Sequence, residues 1–150
     1  YILESKNNIE SMTVMVQKEV AERFTAKPAT SAYGAITLAV NYYTETEILF
    51  TVPAHSFIPA PKVDSAMVKF TFRDTPPVSP KNKALMFRLI RAAFAQRRKT
   101  LSNALYNALS DKYYKEDIIN ALEVCGLSPN IRGEALSLAE FSKLSDALTK

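Results

Sequence analysis

The sequence predicts an α/β segment followed by an all-α segment. Three observations carry this. Short, β-branched and alternating apolar runs are confined to the first half. Helical apolar spacing fills the second half. Between them Thr75-Pro76-Pro77-Val78-Ser79-Pro80 is stiff by composition and reads as a linker.

The elements follow in order. Ser11 to Gln17 is short, β-branched and apolar, and reads as a buried strand. Lys18 to Ala26 carries Val20, Ala21 and Phe24 at helical spacing and stops before Pro28. Ser31 to Tyr43 reads as a helix, with Thr30 or Ser31 available as its cap. Glu45 to Val52 is a strand. Val63 to Arg73 alternates, with Met67 and Lys69 on one face and Ala66, Val68 and Phe70 on the other. The connection between these two strands is too short for a crossover helix, so they pair antiparallel. Beyond the linker, helices are predicted over about 81–97, 99–109, 113–125 and 137–149. Ser79 with Pro80 would cap the first of these, and Gly126 would end the third.

Composition bounds the function classes. The chain has 150 residues, 47% of them hydrophobic and 23% charged, as in ordinary globular proteins. No apolar run approaches the roughly 20 residues a membrane helix needs. Tyr1 to Lys6 does not resemble a signal peptide, and the cytoplasm is the expected location. The chain lacks an initiator Met and reads as a piece of a longer protein. Residues 1–79 hold 7 Lys/Arg against 8 Asp/Glu, whereas residues 80–150 hold 12 against 7. The excess positive charge therefore lies in the second half. This points to a polyanionic partner or to a solvated basic helix face.

The common catalytic constellations are missing. One histidine, His55, and one cysteine, Cys125, exclude a His-rich or Cys-rich metal site, so no metal is expected. Cys125 sits among Ile118, Ala121 and Leu122 and reads as a small buried hydrophobe. His55, in a Pro-rich loop, is a surface or hinge residue or lines a pocket. Gly34, Gly126 and Gly133 are far apart, so a Gly-x-Gly-x-x-Gly loop is absent and no cofactor-binding residue is assigned.

Two segments stand out. In Phe57-Ile58-Pro59-Ala60-Pro61-Lys62-Val63-Asp64-Ser65, the prolines fix their own backbones and bias Ile58 and Ala60 toward extended conformations. A loop so restrained can hold Phe57 ready to stack on a flipped-out base, or Phe57 plugs the end of the core. The second is Phe94 to Leu105, which contains Gln96-Arg97-Arg98-Lys99-Thr100. On a wheel continued to residue 99, Lys81, Arg88, Arg91, Arg98 and Lys99 fall within roughly 100° of one another. That stripe suits successive phosphates and suits a solvated face equally.

Together these segments resemble the small-subunit ribosomal RNA adenine dimethyltransferase family. The matching stretches are Met15 to Arg23, Tyr33-Gly34 with the helix after it, the motif at 57–65, and Ala93 to Leu101. A weaker match is Arg132-Gly133-Glu134 with Leu136-Ser137 and Phe141. The resemblance implies the C-terminal part of a Rossmann-like S-adenosylmethionine-dependent methyltransferase domain over residues 1–74. A linker over 75–80 and a small all-α RNA-binding domain over 81–150 would follow. The family methylates the exocyclic amines of two adjacent adenines in small-subunit rRNA. Its cofactor loop and catalytic Asn-x-Pro-Tyr motif precede the region matched, and Tyr1 is not assigned to that catalytic tyrosine. The isolated chain is therefore expected to be inactive.

By resemblance, Phe57 would stack on the target base, and Pro59, Pro61 and Lys62 would shape that wall. Gln17, Lys18 and Glu19 would border the side where RNA approaches. Arg88, Arg91, Arg97, Arg98, Lys99 and Arg132 are the candidate RNA contacts. The implied partners are small-subunit rRNA and the immature small ribosomal subunit, with the protein a monomer. Two alternatives are a non-catalytic RNA- or ribosome-binding module and a related large-subunit rRNA adenine methyltransferase. The segment Gln96 to Leu101 favours the small-subunit reading over the latter.

Overall fold

The structure is a computed structural model that describes Leu3 and residues 9–149. Tyr1 and Lys6, named above, lie outside the described residues. The chain divides into two compact units, residues 1–76 and 77–150.

Among the described residues, the first unit is a three-stranded antiparallel sheet with two α-helices. Its elements are β1 (Ser11–Gln17), α1 (Lys18–Thr25), α2 (Ala35–Tyr43), β2 (Thr44–Val52) and β3 (Ser65–Phe72). The strand order is β1-β3-β2, so β3 is central and pairs antiparallel with both neighbours. The predicted antiparallel pairing of the second and third strands is what forms. The predicted alternation of β3 also holds: Ala66, Val68 and Phe70 are buried while Met67 and Lys69 are half-buried. Ala21 and Val40 join those three β3 residues in the core of the unit. Phe24 meets Phe70 edge to face, with ring centroids 5.3 Å apart.

Several expectations need correction. Strand β1 is not buried on both faces: its residues alternate between exposed and half-buried, and Met15 is 48% exposed. The core of this unit packs on one face of the sheet, which leaves the Met15 face outward. Helix α2 starts at Ala35, not Ser31. Thr30 is spent in its own turn, where its Oγ1 donates to the Lys27 carbonyl at 2.7 Å. The cap position falls to Gly34, whose N–H donates to Thr37 Oγ1 at 3.1 Å.

The second unit contains α3 (Lys83–Ala95), α4 (Leu101–Leu109), α5 (Lys115–Val124) and α6 (Leu138–Leu148). Leu89, Leu105, Leu122, Phe141 and Leu144 are among the side chains it buries fully. Ser79 does not cap α3. The cap is Asn82, whose Oδ1 accepts the Leu85 N–H at 2.9 Å, while the Lys81 N–H donates to Asp146 Oδ1 at 2.7 Å. Residues 79–81 thus precede the helix. Helix α6 opens on Ser137, whose Oγ accepts the Glu140 N–H while Glu140 accepts the Ser137 N–H. Gly126 follows α5 with φ +71°, the left-handed geometry that favours glycine at a helix end. Cys125 is the half-buried cap residue of α5, not a core residue. Among the described residues, no helix is long and apolar enough to cross a membrane.

Candidate nucleic-acid interface

The first candidate surface sits at one end of the sheet. Gln17 of β1 and Val52 of β2 both pair with Ser65 of β3, so the proline-rich loop leaves and re-enters the sheet at this row. The loop opens with a 3-10 turn, Ala54–Ser56, in which Phe57 N–H donates to the Ala54 carbonyl at 3.3 Å. The Ile58–Pro59 peptide is cis. Asp64 closes the loop from both sides. Its Oδ1 accepts the Ala54 N–H at 2.9 Å, and its carbonyl accepts the Lys18 N–H at 3.0 Å. The second bond joins the loop to the first residue of α1, which brings Gln17, Lys18 and Glu19 to the same end of the sheet as the motif.

Phe57 is half-buried, with Ile58, Pro59, Pro61 and Lys62 exposed around it. It differs from Phe70, which is buried to 3% exposure in the core. Of the bordering residues, Gln17 and Lys18 are exposed, whereas the Glu19 carboxylate is ion-paired with Arg23 one helical turn on. His55 is exposed.

The second candidate surface is the turn between α3 and α4. Helix α3 ends at Ala95, so the stripe read from a wheel continued to residue 99 does not exist as one helical face. Gln96 leaves helical geometry (φ −131°, ψ 58°), and the Lys99 N–H donates back to its carbonyl at 2.9 Å. Arg98 and Lys99 stand on this turn, exposed and without a side-chain partner among the described residues. Gln96 Oε1 accepts from Asn107 Nδ2 of α4 at 3.1 Å. Residues 94–99 line a shallow open concavity of about 410 Å³.

The other predicted cations separate by environment. Arg88 donates to the Ala108 carbonyl and to Asp111, each at 2.9 Å, and so ties α3 to the end of α4. Arg91 is exposed on α3. Arg97 contacts Glu134 at 3.3 Å and lies 6.0 Å from the centroid of the Phe94 ring. Arg132 is exposed and immediately precedes a 3-10 turn, Gly133–Ala135.

The loop carrying Arg132 is sewn to the basic turn. The Leu101 N–H donates to the Ile131 carbonyl at 2.7 Å, and Ser102 Oγ donates to the Pro129 carbonyl at 2.9 Å. Gly133 lies so close to α3 that a Cβ there would sit 2.5 Å from the Ala93 Cβ. The arrangement thus brings Arg97, Arg98, Lys99 and the Arg132 loop to one region of the second unit. The sequence alone assigns no role to Glu134, to Asn107 or to the clamp made by Asp64. Each acts through a partner distant in sequence, and no local spacing marks it.

In a Rossmann-like domain S-adenosylmethionine would be held by a Gly-rich loop. Gly34, Gly126 and Gly133 fall in three separate elements, and Gly133 faces Ala93. They do not compose a Gly-rich loop for its ribose, so the described residues offer no hold of that kind for the cofactor. No group of three or more metal-binding side chains occurs among the described residues.

Comparisons with known proteins identify the family of the chain. The family model for ribosomal RNA adenine dimethylase matches residues 1–145. The ribosomal RNA small subunit methyltransferase A of Geobacillus thermodenitrificans is 51% identical over 148 residues, covering 98% of this chain and 50% of that protein. The protein of the same name from Bacillus pumilus is 46% identical over 150 residues, covering 99% of this chain and 51% of its own. The chain therefore spans about half the length of the curated relatives it matches. Among solved structures, a dimethyladenosine transferase from Plasmodium falciparum matches with TM-score 0.80 and 25% identity, covering 95% of this chain and 58% of that one. The 23S rRNA methyltransferase ErmE matches in fold at TM-score 0.64 and 23% identity, covering 97% of this chain and 57% of that one. The chain thus shares its mixed α/β fold with somewhat more than half of that dimethyladenosine transferase, and it belongs to the ribosomal RNA adenine dimethylase family.

Proposed function

We propose that this chain is the RNA-recognising C-terminal portion of an S-adenosylmethionine-dependent enzyme that dimethylates two adjacent adenines in small-subunit rRNA. The observation that carries the reading is Phe57, half-buried on a loop clamped by Asp64 at the end of the sheet. A ring held this way offers a π-face to an extruded adenine at little further entropic cost, and such stacking contributes about 1–3 kcal/mol per base. Pro59, Pro61 and Lys62 shape the same wall, with Gln17 and Lys18 beside it. Holding the exocyclic amine in line with the methyl donor then supplies most of the rate, with little acid–base chemistry asked of the protein.

The chain's 16.7 kDa divide between the two tasks. Residues 1–74 form part of the methyltransferase domain, 75–80 the linker, and 81–150 the helical RNA-binding domain. Arg91, Arg98, Lys99 and Arg132 meet the rRNA backbone of an immature small subunit, and the protein works as a monomer in the cytoplasm. The methyl donor is held by the half of the family's length that this chain does not match. A non-catalytic RNA-binding role for the isolated chain is favoured by one observation, the exposed basic turn beside scattered glycines. The small-subunit substrate is preferred because the curated relatives at 46–51% identity carry that name.

The test is methyl transfer from labelled S-adenosylmethionine to small ribosomal subunits lacking the modification, using full-length enzyme that contains this sequence. Phe57→Ala should abolish most transfer and leave cofactor affinity nearly unchanged. Equal activity in that variant would return Phe57 to a packing role. Saturable cofactor binding by residues 1–150 alone would overturn the assignment of the donor site to the other half.

A further inference from the structure

Three consecutive cations on one turn repel one another, and an RNA-binding surface that needs them gains nothing obvious from a carboxylate in their midst. Glu134 is nevertheless there, half-buried and 3.3 Å from Arg97. Its position is not left to a flexible loop. The preceding Gly133 is pressed against Ala93 of α3 with no room for a side chain, and the Ala135 N–H donates to the Arg132 carbonyl at 3.0 Å. Arg97 is bounded on a second side by the Phe94 ring, and Phe94 itself leans on buried Phe141 with centroids 6.5 Å apart. Gln96, the residue before Arg97, is held by Asn107.

We propose that Glu134 is a positioning residue for RNA binding: it holds Arg97 as a clamp, so that the turn presents Arg98 and Lys99, together with Arg132, as a preformed phosphate cradle. This rests on the reading of the basic turn as an RNA contact and adds a division of labour within it. Arg97 acts on the protein, whereas Arg98 and Lys99 act on the ligand. The benefit is entropic. A turn already ordered by Glu134, Asn107 and Gly133 loses less freedom when RNA arrives than a loose loop would. Glu134 also offsets one positive charge of the cluster without engaging Arg98 or Lys99.

The sign of one measurement separates this role from simple charge masking. Coulomb attraction alone predicts that deleting an acidic side chain strengthens RNA binding. Positioning predicts the opposite. The assay is fluorescence anisotropy with the full chain and a labelled fragment of small-subunit rRNA that carries two adjacent adenines, titrated at several KCl concentrations. Glu134→Ala should weaken binding about five- to tenfold, while Glu134→Gln, which keeps an acceptor for Arg97, should stay within about twofold of the parent. Unchanged or tighter binding by Glu134→Ala would overturn the proposal. Should Glu134→Ala fail to fold, the reversed pair decides. Arg97→Glu alone should bind weakly, and adding Glu134→Arg should recover most of the loss; no recovery would overturn the clamp.

Arg98→Ala with Lys99→Ala tests the underlying reading separately. It should lower the slope of log affinity against log salt by about 1.4–1.8, as expected for two lost phosphate contacts. An unchanged slope would sink the phosphate role of the turn. A reduced slope alongside an indifferent Glu134→Ala would leave that role standing and remove only the positioning of Glu134.

Discussion

The Asp64 carboxylate accepts the Ala54 N–H at 2.9 Å, across a span of ten residues that contains Phe57. This bond closes the proline-rich loop where it leaves β2 and enters β3. The Asp64 carbonyl meanwhile receives the Lys18 N–H, so one residue joins the loop, the sheet end and the start of α1. Hydrogen bonds to charged groups contribute about 1.5–3 kcal/mol when well formed. Asp64→Ala should therefore cost about 1–2 kcal/mol at this partly buried site, and Asp64→Asn less, since an acceptor remains. Urea unfolding would measure both. Methyl transfer in the full-length enzyme should fall with Asp64→Ala even where folding is intact, because Phe57 is released.

Phe57 and Phe70 should respond to truncation in opposite currencies. Phe70 is a core residue, and Phe→Ala in a core typically costs about 3–5 kcal/mol of stability. Phe57 is half-buried, so its truncation should cost much less stability and show instead in catalysis. Losing a stacking contact of about 1–3 kcal/mol corresponds to roughly a 5- to 150-fold decrease in transfer. Paired thermal melts and activity assays on Phe57→Ala and Phe70→Ala would expose the contrast.

Gly133→Ala should destabilise the second unit. The added Cβ would lie 2.5 Å from the Ala93 Cβ and 3.3 Å from its Cα, an overlap that neither rigid element can relieve without shifting. Overpacking of this kind costs about 1–3 kcal/mol. Ala93→Gly in the same chain should restore part of the loss, although glycine inside α3 carries its own cost of about 1 kcal/mol. Circular dichroism melts of the two single variants and the double variant would complete the cycle.

Arg88 should matter to folding and not to RNA. Its guanidinium is already spent on the Ala108 carbonyl and Asp111. The pair is exposed enough that Arg88→Ala should cost less than about 1 kcal/mol. The salt slope of RNA binding should remain that of the parent, in contrast to the Arg98 and Lys99 double variant. A lower slope for Arg88→Ala would place it back among the phosphate contacts.

Cys125 should alkylate slowly. Burial pushes its thiol above the ordinary value; nearby Lys143 lowers it and Asp146 raises it, with a net upward shift. The fold thus favours the neutral thiol. Its contribution to stability is complete below the unfolded thiol pKa and is lost as pH rises through the raised folded value. Rates of iodoacetamide labelling between pH 7 and 10 should give a midpoint above that of a free cysteine, and Lys143→Ala should move it higher still.

Much of the architecture was legible because its causes are local. The alternation of Ala66, Val68 and Phe70 specifies a strand with one buried face, and the short connection from Val52 to Ser65 permits only an antiparallel return. Element ends were less legible. Ser79-Pro80 and Thr30 are sound capping chemistry, but Lys81 is drawn to Asp146 and Thr30 to its own turn, so Asn82 and Gly34 cap instead. The single basic stripe fails for a related reason: nothing in the residues Gln96 to Lys99 forbids helix, and the turn that replaces it is held by partners on α4 and in the loop after α5.

By itself, the sequence determined the two-part α/β-then-α arrangement, the motif that holds Phe57 and the concentration of positive charge beyond residue 80. Those follow from periodicity, proline geometry and composition, which neighbouring residues settle among themselves. Only the tertiary structure decided which charges are committed to the protein. Arg88 belongs to Asp111, Arg97 to Glu134 and Asp64 to the Ala54 amide. Their partners lie 23, 37 and 10 residues away. A cation's availability to RNA depends on what lies within hydrogen-bond reach, and distance through space is what folding adds to the order of residues.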